Sequence, residues 1–144
     1  PDRDALWIHE MGPRHGDELH EEEAGENYGW PMVSWGDNYS GIPIPDPDTR
    51  PDLRDSATYW IPSIAPSGMA YYNGDAFPAW RESLLIGGLR ALGIVRVTTE
   101  GQTAQEVERL DLGVRVRDVE VMPDGSVLAL VDASQGGILR IAPQ

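Results

Sequence analysis

Arg90, Arg115 and Arg117 are the residues whose chemistry exceeds what a folded core needs. Each guanidinium is a planar fork suited to carboxylates and phosphates through paired, charge-assisted hydrogen bonds. Around them stand Gly12-Pro13-Arg14, Ser63, Pro66-Ser67 and the acidic pair Asp17-Glu18. Three arginines gathered at one mouth of an acidic protein suit a small, multiply anionic ligand. The competing reading pairs each arginine with a nearby acid such as Asp118 or Glu120, and the sequence leaves the two level. His9, His15 and His20 with Glu10 invite a zinc site, but position 13 is proline, so no His-Glu-x-x-His motif exists and zinc is not expected. Gly87 to Gly93 carries glycines without a Gly-Lys-Ser/Thr, so a phosphate-cradling loop is not expected either.

Composition narrows the partners. The chain has 144 residues, 24 acids against 11 cations, and a net charge of −13. All 11 cations are arginine. Such a balance disfavours nucleic acid and anionic membrane surfaces, both of which need a clustered positive field. No apolar run reaches the 18 or so residues needed to span a bilayer, and no signal peptide is visible at Pro1-Asp2-Arg3-Asp4. Without cysteine there are no disulfides, thiolate nucleophiles or cysteine zinc sites. Residues 1–60 hold 14 acids and 4 arginines, whereas residues 61–144 hold 10 acids and 7 arginines.

The elements that position these residues read as strands. Short apolar runs lie near Gly68–Tyr72, Ser83–Leu89, Gly93–Thr98, Gln105–Leu110, Arg117–Met122, Ser126–Val131 and Gly137–Ile141. Between them stand Asn73-Gly74-Asp75, Arg90-Ala91-Leu92, Glu100-Gly101, Gly113, Pro123-Asp124-Gly125 and Ser134-Gln135-Gly136-Gly137. Asn-Gly and Asp-Gly tolerate positive φ and mark tight turns. No segment sustains a 3.6-residue apolar period, so the chain is expected to be all-β. Gly93-Ile94-Val95-Arg96-Val97 and Gly137-Ile138-Leu139-Arg140-Ile141 repeat at a separation of 44, the period of β-propeller blades with four strands each. Leu6–Glu10 and Gly16–Leu19 match the middle pair of an earlier blade.

The expected organisation is therefore a partial β-propeller of about three blades. Residues 1–37 form an incomplete blade, 38–60 a proline-dense excursion between blades, 61–112 a full blade, and 113–144 a last blade lacking its outer strand. In a meander, alternate loops share one end. By that parity Gly12-Pro13-Arg14, Ser63, Arg90, Arg115 and Arg117 fall on one face, and the ordinary turns at 73–75, 100–101 and 123–125 on the other. The five tryptophans read mainly as packing anchors, with one or two available to line a sugar pocket.

Four motifs then carry a family resemblance. His9–Glu18, Asn27-Tyr28-Gly29-Trp30-Pro31, Pro62–Gly68, and Arg115-Val116-Arg117-Asp118-Val119 with Pro123-Asp124-Gly125 resemble, in order, the signatures of soluble sugar dehydrogenases that use pyrroloquinoline quinone. These enzymes are six-bladed propellers, and the resemblance is to their C-terminal portion. It implies that the carbonyls of Gly12 and Pro13 hold a Ca²⁺, that Arg115 and Arg117 contact the quinone cofactor, and that the Ser63 hydroxyl hydrogen-bonds it. Arg90 stands where the family often has lysine or another polar residue. Asp17 and Glu18 match an acidic pair of structural role. Met11 and His15 depart from the family pattern. The general-base histidine and an Arg-Asn motif of the family have no counterpart here, so no catalytic residue is expected in this chain, the base is expected upstream, and the isolated chain is expected to be inactive.

The resemblance implies an aldose substrate, an external electron acceptor, a periplasmic or extracellular location, and leaves open self-association or pairing with an N-terminal half. A non-catalytic propeller module binding a ligand or partner through the same arginine-lined face is the alternative.

Overall fold

The computed structural model describes residues 5–143, in which the regular elements are strands and two single 3₁₀ turns, Pro47–Thr49 and Pro78–Trp80. Strands β1 (Trp7–Glu10), β2 (Asp17–Glu21) and β3 (Thr58–Trp60) form one sheet in the order β1-β2-β3. A second sheet holds β4 (Pro66–Tyr72), β5 (Ser83–Gly88), β6 (Gly93–Glu100) and β7 (Thr103–Asp111) in sequence order. The third is β8 (Val116–Val121), β9 (Val127–Val131) and β10 (Ile138–Ile141), again a meander. The chain is thus all-β, three antiparallel sheets that are the blades of a partial β-propeller, as expected. Its contacts divide it into two units: one runs to Ile64 and takes in residues 102–104, the other runs from Ala65 to Gly101 and from Gln105 onward.

One expectation changes within the first unit. The 38–60 segment is not wholly an excursion, because Thr58–Trp60 pairs antiparallel with β2, Asp17 opposite Trp60 and Leu19 opposite Thr58. Proline density hid this short strand; the prolines stop at Pro51 and resume at Pro62, leaving room for three ladder residues. The rest of the excursion is tied down by backbone bonds such as Ser34 N–H to the Pro45 carbonyl (3.0 Å) and Arg54 N–H to the Asn27 carbonyl (2.9 Å). Among the described residues, Trp7, Leu19, Val33, Ile44, Trp60 and Ile64 are the buried apolar residues of this unit. Trp7, Trp60 and Trp80 are buried as packing anchors, whereas Trp30 is 56% exposed.

Burial explains the strands of the second unit. β5 is buried at all six positions, so it reads as a continuous apolar run rather than an alternation. β7, the outer strand, alternates exposed with half-buried residues, and its charges suit an edge. The repeated arginines have one structural job in both copies. Arg96 on β6 reaches Ser83 Oγ (3.1 Å) and Glu108 (2.8 Å), while Arg140 on β10 reaches Ser126 Oγ (3.1 Å) and Asp124. Both serines are buried where the preceding strand begins; Arg96 serves Ser83, whereas Ser126 also donates to Asp124 (2.6 Å), so there the arginine joins an existing pair.

The second and third sheets meet where their first strands bulge, between Pro66 and Met69 on β4 and between Val116 and Asp118 on β8. There Ser67 Oγ donates to the Val116 carbonyl (2.7 Å), and a side chain at Gly68 would overlap Asp118. The shared core is Tyr72, Trp80, Leu85, Ile94, Val116, Val119, Val127 and Ala129. Tyr72 is fully buried; its hydroxyl donates to the Gly125 carbonyl (2.8 Å) and accepts from Phe77 N–H (2.9 Å). Tyr72→Phe leaves both backbone groups without this partner while keeping the ring, and is expected to destabilise the protein by about 1–3 kcal/mol. Urea unfolding of the complete protein, read as a lowered midpoint at unchanged slope, checks this.

Candidate functional site

In the first unit the polar residues gather on the β1–β2 loop. Asp17 opens β2 with 1% of its surface exposed, and a buried carboxylate must collect donors. Asp17 Oδ1 accepts from Gly12 N–H (3.1 Å) and from the Ser63 hydroxyl (3.1 Å). One oxygen therefore joins two segments 46 residues apart in sequence. The loop is also closely packed: a Cβ at Gly12 or at Gly36 would overlap the His15 carbonyl, and Gly16 takes φ +71° against the backbone of Trp35 and Gly36. The carbonyls of Gly12 and Pro13 accept no hydrogen bond among the described residues. Both residues line a cavity of about 210 Å³ with Glu10, Glu18, Trp30 and Ser34.

The β1–β2 ladder adds a cluster beside this loop. Glu10 stands opposite Glu18, and His20 follows two residues on, on the same face. His20 is 2% exposed, with Nε2 3.2 Å from Glu18 Oε2 and 3.5 Å from Glu10 Oε1. Its Nε2 faces both carboxylates, whose hydrogen bonding and charge favour the imidazolium. Burial alone would lower the imidazole pKa, but the two carboxylates together outweigh it and raise it to about 9. Tyr28 packs edge-on against the ring at 4.6 Å and is itself fixed by donating to the Glu21 carbonyl (2.9 Å) and accepting from Glu23 N–H (3.1 Å).

In the second unit Arg90 lies at the β5–β6 corner, and Arg115 and Arg117 lie where the chain enters β8. Leu112 N–H donates to the Leu92 carbonyl (3.0 Å), so the corner and the segment leading to Arg115 share one end of the second sheet. Arg115 and Arg117 converge on a single carboxylate. Arg115 holds Asp132 at 2.7 Å and Arg117 holds the same group at 3.2 Å. The Arg115 guanidinium, with Arg117 behind it, keeps the Asp132 carboxyl below the usual carboxylate range. The acids named from sequence are therefore not the partners: Asp118 instead accepts from Val119 N–H (2.9 Å) at the bulge. Arg90 is exposed and makes no ion pair among the described residues.

Sequence reasoning missed Asp132 because it sits in the β9–β10 loop, 15 residues beyond Arg117, and only strand pairing brings it back. The signal that could have found it is the meander parity that grouped the arginines. The sequence groups His20 with Glu10 but not with Glu18, because the zinc argument tests helical spacing, whereas a ladder pairs residues across strands.

Comparison with known proteins gives these residues a context. The family model described as glucose/sorbosone dehydrogenase matches residues 1–140. The chain is 41% identical over 148 residues to the aldose sugar dehydrogenase YliI of Escherichia coli (strain K12), a match covering 100% of this chain and 40% of that protein. A crystal structure of a glucose dehydrogenase superposes with a TM-score of 0.90 at 44% identity, over 100% of this chain and 43% of the other. The PQQ-bound form of an aldose sugar dehydrogenase from Streptomyces coelicolor superposes with a TM-score of 0.64 at 26% identity, over 97% of this chain and 40% of the other. The chain thus spans about two fifths of the length of the proteins it resembles.

The His20 cluster has a direct consequence for stability. Its folded pKa, about 9, stands above the unfolded value of 6.5, so its stabilisation is fully present below pH 6.5 and is lost as pH rises through about 9. In buffer containing a chelator, the complete protein is expected to lose urea resistance between about pH 6.5 and 9, and His20→Gln is expected to flatten that segment of the curve. A parallel pH dependence in the variant would show that His20 does not carry it.

Proposed function

The chain belongs to the glucose/sorbosone dehydrogenase family, and from that premise we propose that it is the C-terminal part of a quinoprotein oxidising the anomeric hydroxyl of aldose sugars to lactones. The proposed cofactors are pyrroloquinoline quinone and Ca²⁺. The observation that carries this reading is the pair Arg115 and Arg117 on one carboxylate. Two guanidiniums bring ten N–H donors and two positive charges, and Asp132 uses few of the donors and cancels one charge. What is left is a surplus of planar donors fitted to the carboxylates of an anionic cofactor. Arg90, exposed at the same end of its sheet, adds a further charge.

The first unit offers donors of the types these cofactors take. Ser63 commits its hydroxyl proton to Asp17, so toward a ligand its oxygen acts as an acceptor. Gly12 and Pro13 present backbone carbonyls that are free of hydrogen bonds among the described residues, on a loop held by Asp17, which suits a hard cation. When bound, the quinone supplies the hydride acceptor and Ca²⁺ polarises it. The side chains of this chain bind and orient; no residue here is assigned the removal of the sugar hydroxyl proton, which is left to the remainder of the complete protein. The blade boundaries 61–112 and 113–144 are part of the same proposal. So are an external electron acceptor and a periplasmic or extracellular location; no helix among the described residues is long and apolar enough to cross a membrane.

The test is reconstitution. The complete protein, given pyrroloquinoline quinone and Ca²⁺, is expected to oxidise glucose or another aldose with an artificial electron acceptor. Absence of turnover and of any quinone absorbance shift would overturn the dehydrogenase reading in favour of a non-catalytic binding module. Arg115→Ala and Arg117→Ala each remove charge-assisted hydrogen bonds of about 1.5–3 kcal/mol, so each is expected to raise the quinone concentration for half-maximal activity by roughly 10-fold or more. Gly12→Ala must displace the His15 carbonyl and is expected to abolish activation by Ca²⁺.

A further inference from the structure

We propose that Ser67 is a positioning residue for cofactor binding: its hydroxyl, acting through the Val116 carbonyl, aims Arg117 so that Arg117 and Arg115 present one combined fork. The ligand's identity rests on the quinoprotein reading above, whereas the geometry lies wholly within the second unit.

Arg115 and Arg117 reach Asp132 by different routes. β8 and β9 pair Val116 with Val131, and the next step of that register sets Arg115 opposite Asp132, whose N–H donates to the Arg115 carbonyl (2.8 Å). Arg115 is thus aimed by the ladder itself. In the other direction the register slips, because the next pair is Asp118 with Leu130. Arg117 has no opposite number on β9, and at a bulge the extra side chain takes its direction from the local backbone rather than from pairing. A contact from outside the β8–β9 ladder is needed to fix that backbone.

Ser67 supplies it from the neighbouring sheet. Its Oγ donates to the Val116 carbonyl (2.7 Å), the oxygen of the peptide that joins Val116 to Arg117. That peptide is planar, so holding its carbonyl holds the plane from which the Arg117 side chain departs. β4 prepares the donor with a bulge of its own, in which Ser67 and Gly68 stand against Gly87 alone on β5. Glycine at 87 clears the approach, since a Cβ there would lie 2.7 Å from Ser67 Oγ and 3.0 Å from Val116 Cγ1. Two bulges on adjoining sheets are therefore joined by one hydroxyl, and the carbonyl it holds lies between the two arginines in the chain. Asp132 then closes the arrangement from the side-chain end, at 2.7 Å from Arg115 and 3.2 Å from Arg117.

The experiment compares the complete protein with its Ser67→Ala variant, which removes a single oxygen. In a ligand-free crystal structure of the variant, Arg117 is expected to leave Asp132 while Arg115 stays. Titration with pyrroloquinoline quinone in the presence of Ca²⁺, followed by quinone absorbance, is expected to show half-saturation raised about three- to tenfold. In an Arg117→Ala background the same change is expected to add no further weakening, because Ser67 acts through that side chain. Tyr72→Phe, which removes another hydroxyl donor to a backbone carbonyl in the same unit, is expected to lower stability and leave half-saturation unchanged. Arg117 still seated on Asp132 in Ser67→Ala, unchanged quinone affinity, or weakening that adds fully to that of Arg117→Ala would each overturn the proposal. A wild type that binds no quinone would overturn the dehydrogenase reading and with it the ligand named here, while the crystal structure alone decides whether Ser67 aims Arg117.

Discussion

A carboxylate taken out of water must be given donors, and Asp17 imposes that requirement on the whole first unit. Its Oδ1 atom collects Gly12 N–H from the β1–β2 loop and the Ser63 hydroxyl from the segment after β3. Losing either donor would leave part of the desolvation cost of a buried carboxylate unmet, so the two segments are held together by the expense of parting them. The glycines make the same demand sterically. Gly12 and Gly36 both abut the His15 carbonyl, so the loop has one arrangement in which the Gly12 and Pro13 carbonyls stay outside the hydrogen-bond network. A cation site built from backbone needs that fixity, since carbonyls on a slack turn would reorient toward water.

The second unit solves the opposite problem, keeping cations available. Four of its arginines fall into two pairs with different fates. Arg96 and Arg140 are consumed by buried serines and by neighbouring acids on their own sheets. Arg115 and Arg117 share Asp132, at a site where all three side chains are reached by solvent. Exposed ion pairs contribute little to stability, so Asp132 is better understood as orienting the two forks than as holding the fold. It fixes two long side chains in advance, and ordering them beforehand removes part of the entropy that a ligand would otherwise have to offset.

How much of this was legible follows from what kind of signal each feature leaves. The strands from β4 to β10 announce themselves because Asn-Gly, Asp-Gly and Glu-Gly turns separate runs with strand periodicity, and the repeated Gly-Ile-x-Arg segments match as β6 and β10. Thr58–Trp60 left almost no such signal, since three residues carry no period and prolines flank them. Loop parity expects Gly12, Ser63, Arg90, Arg115 and Arg117 at strand ends, and each lies at or beside a strand end in the structure. Partners were not legible. Asp132 meets its arginines through the β8–β9 register, and His20 meets Glu10 through the β1–β2 register, and register is fixed by packing rather than by any local residue pattern.

Register also explains the uneven charge. Residues 1–60 carry 14 acids and only 4 arginines, of which Arg50 pairs with Asp52 and Arg54 with Glu23. No arginine serves Glu10 or Glu18 among the described ion pairs, although the ladder sets them face to face with a buried histidine between. A charge balance read as a whole, −13, disfavours polyanions and stops there. Divided by unit, the acid excess lies where backbone carbonyls and paired glutamates offer oxygen donors, and the arginines lie where planar forks stand ready for carboxylates. An acidic domain of this kind need not neutralise itself from within: the strands hold like charges near one another, and solvent and counter-ions screen what the side chains leave unpaired.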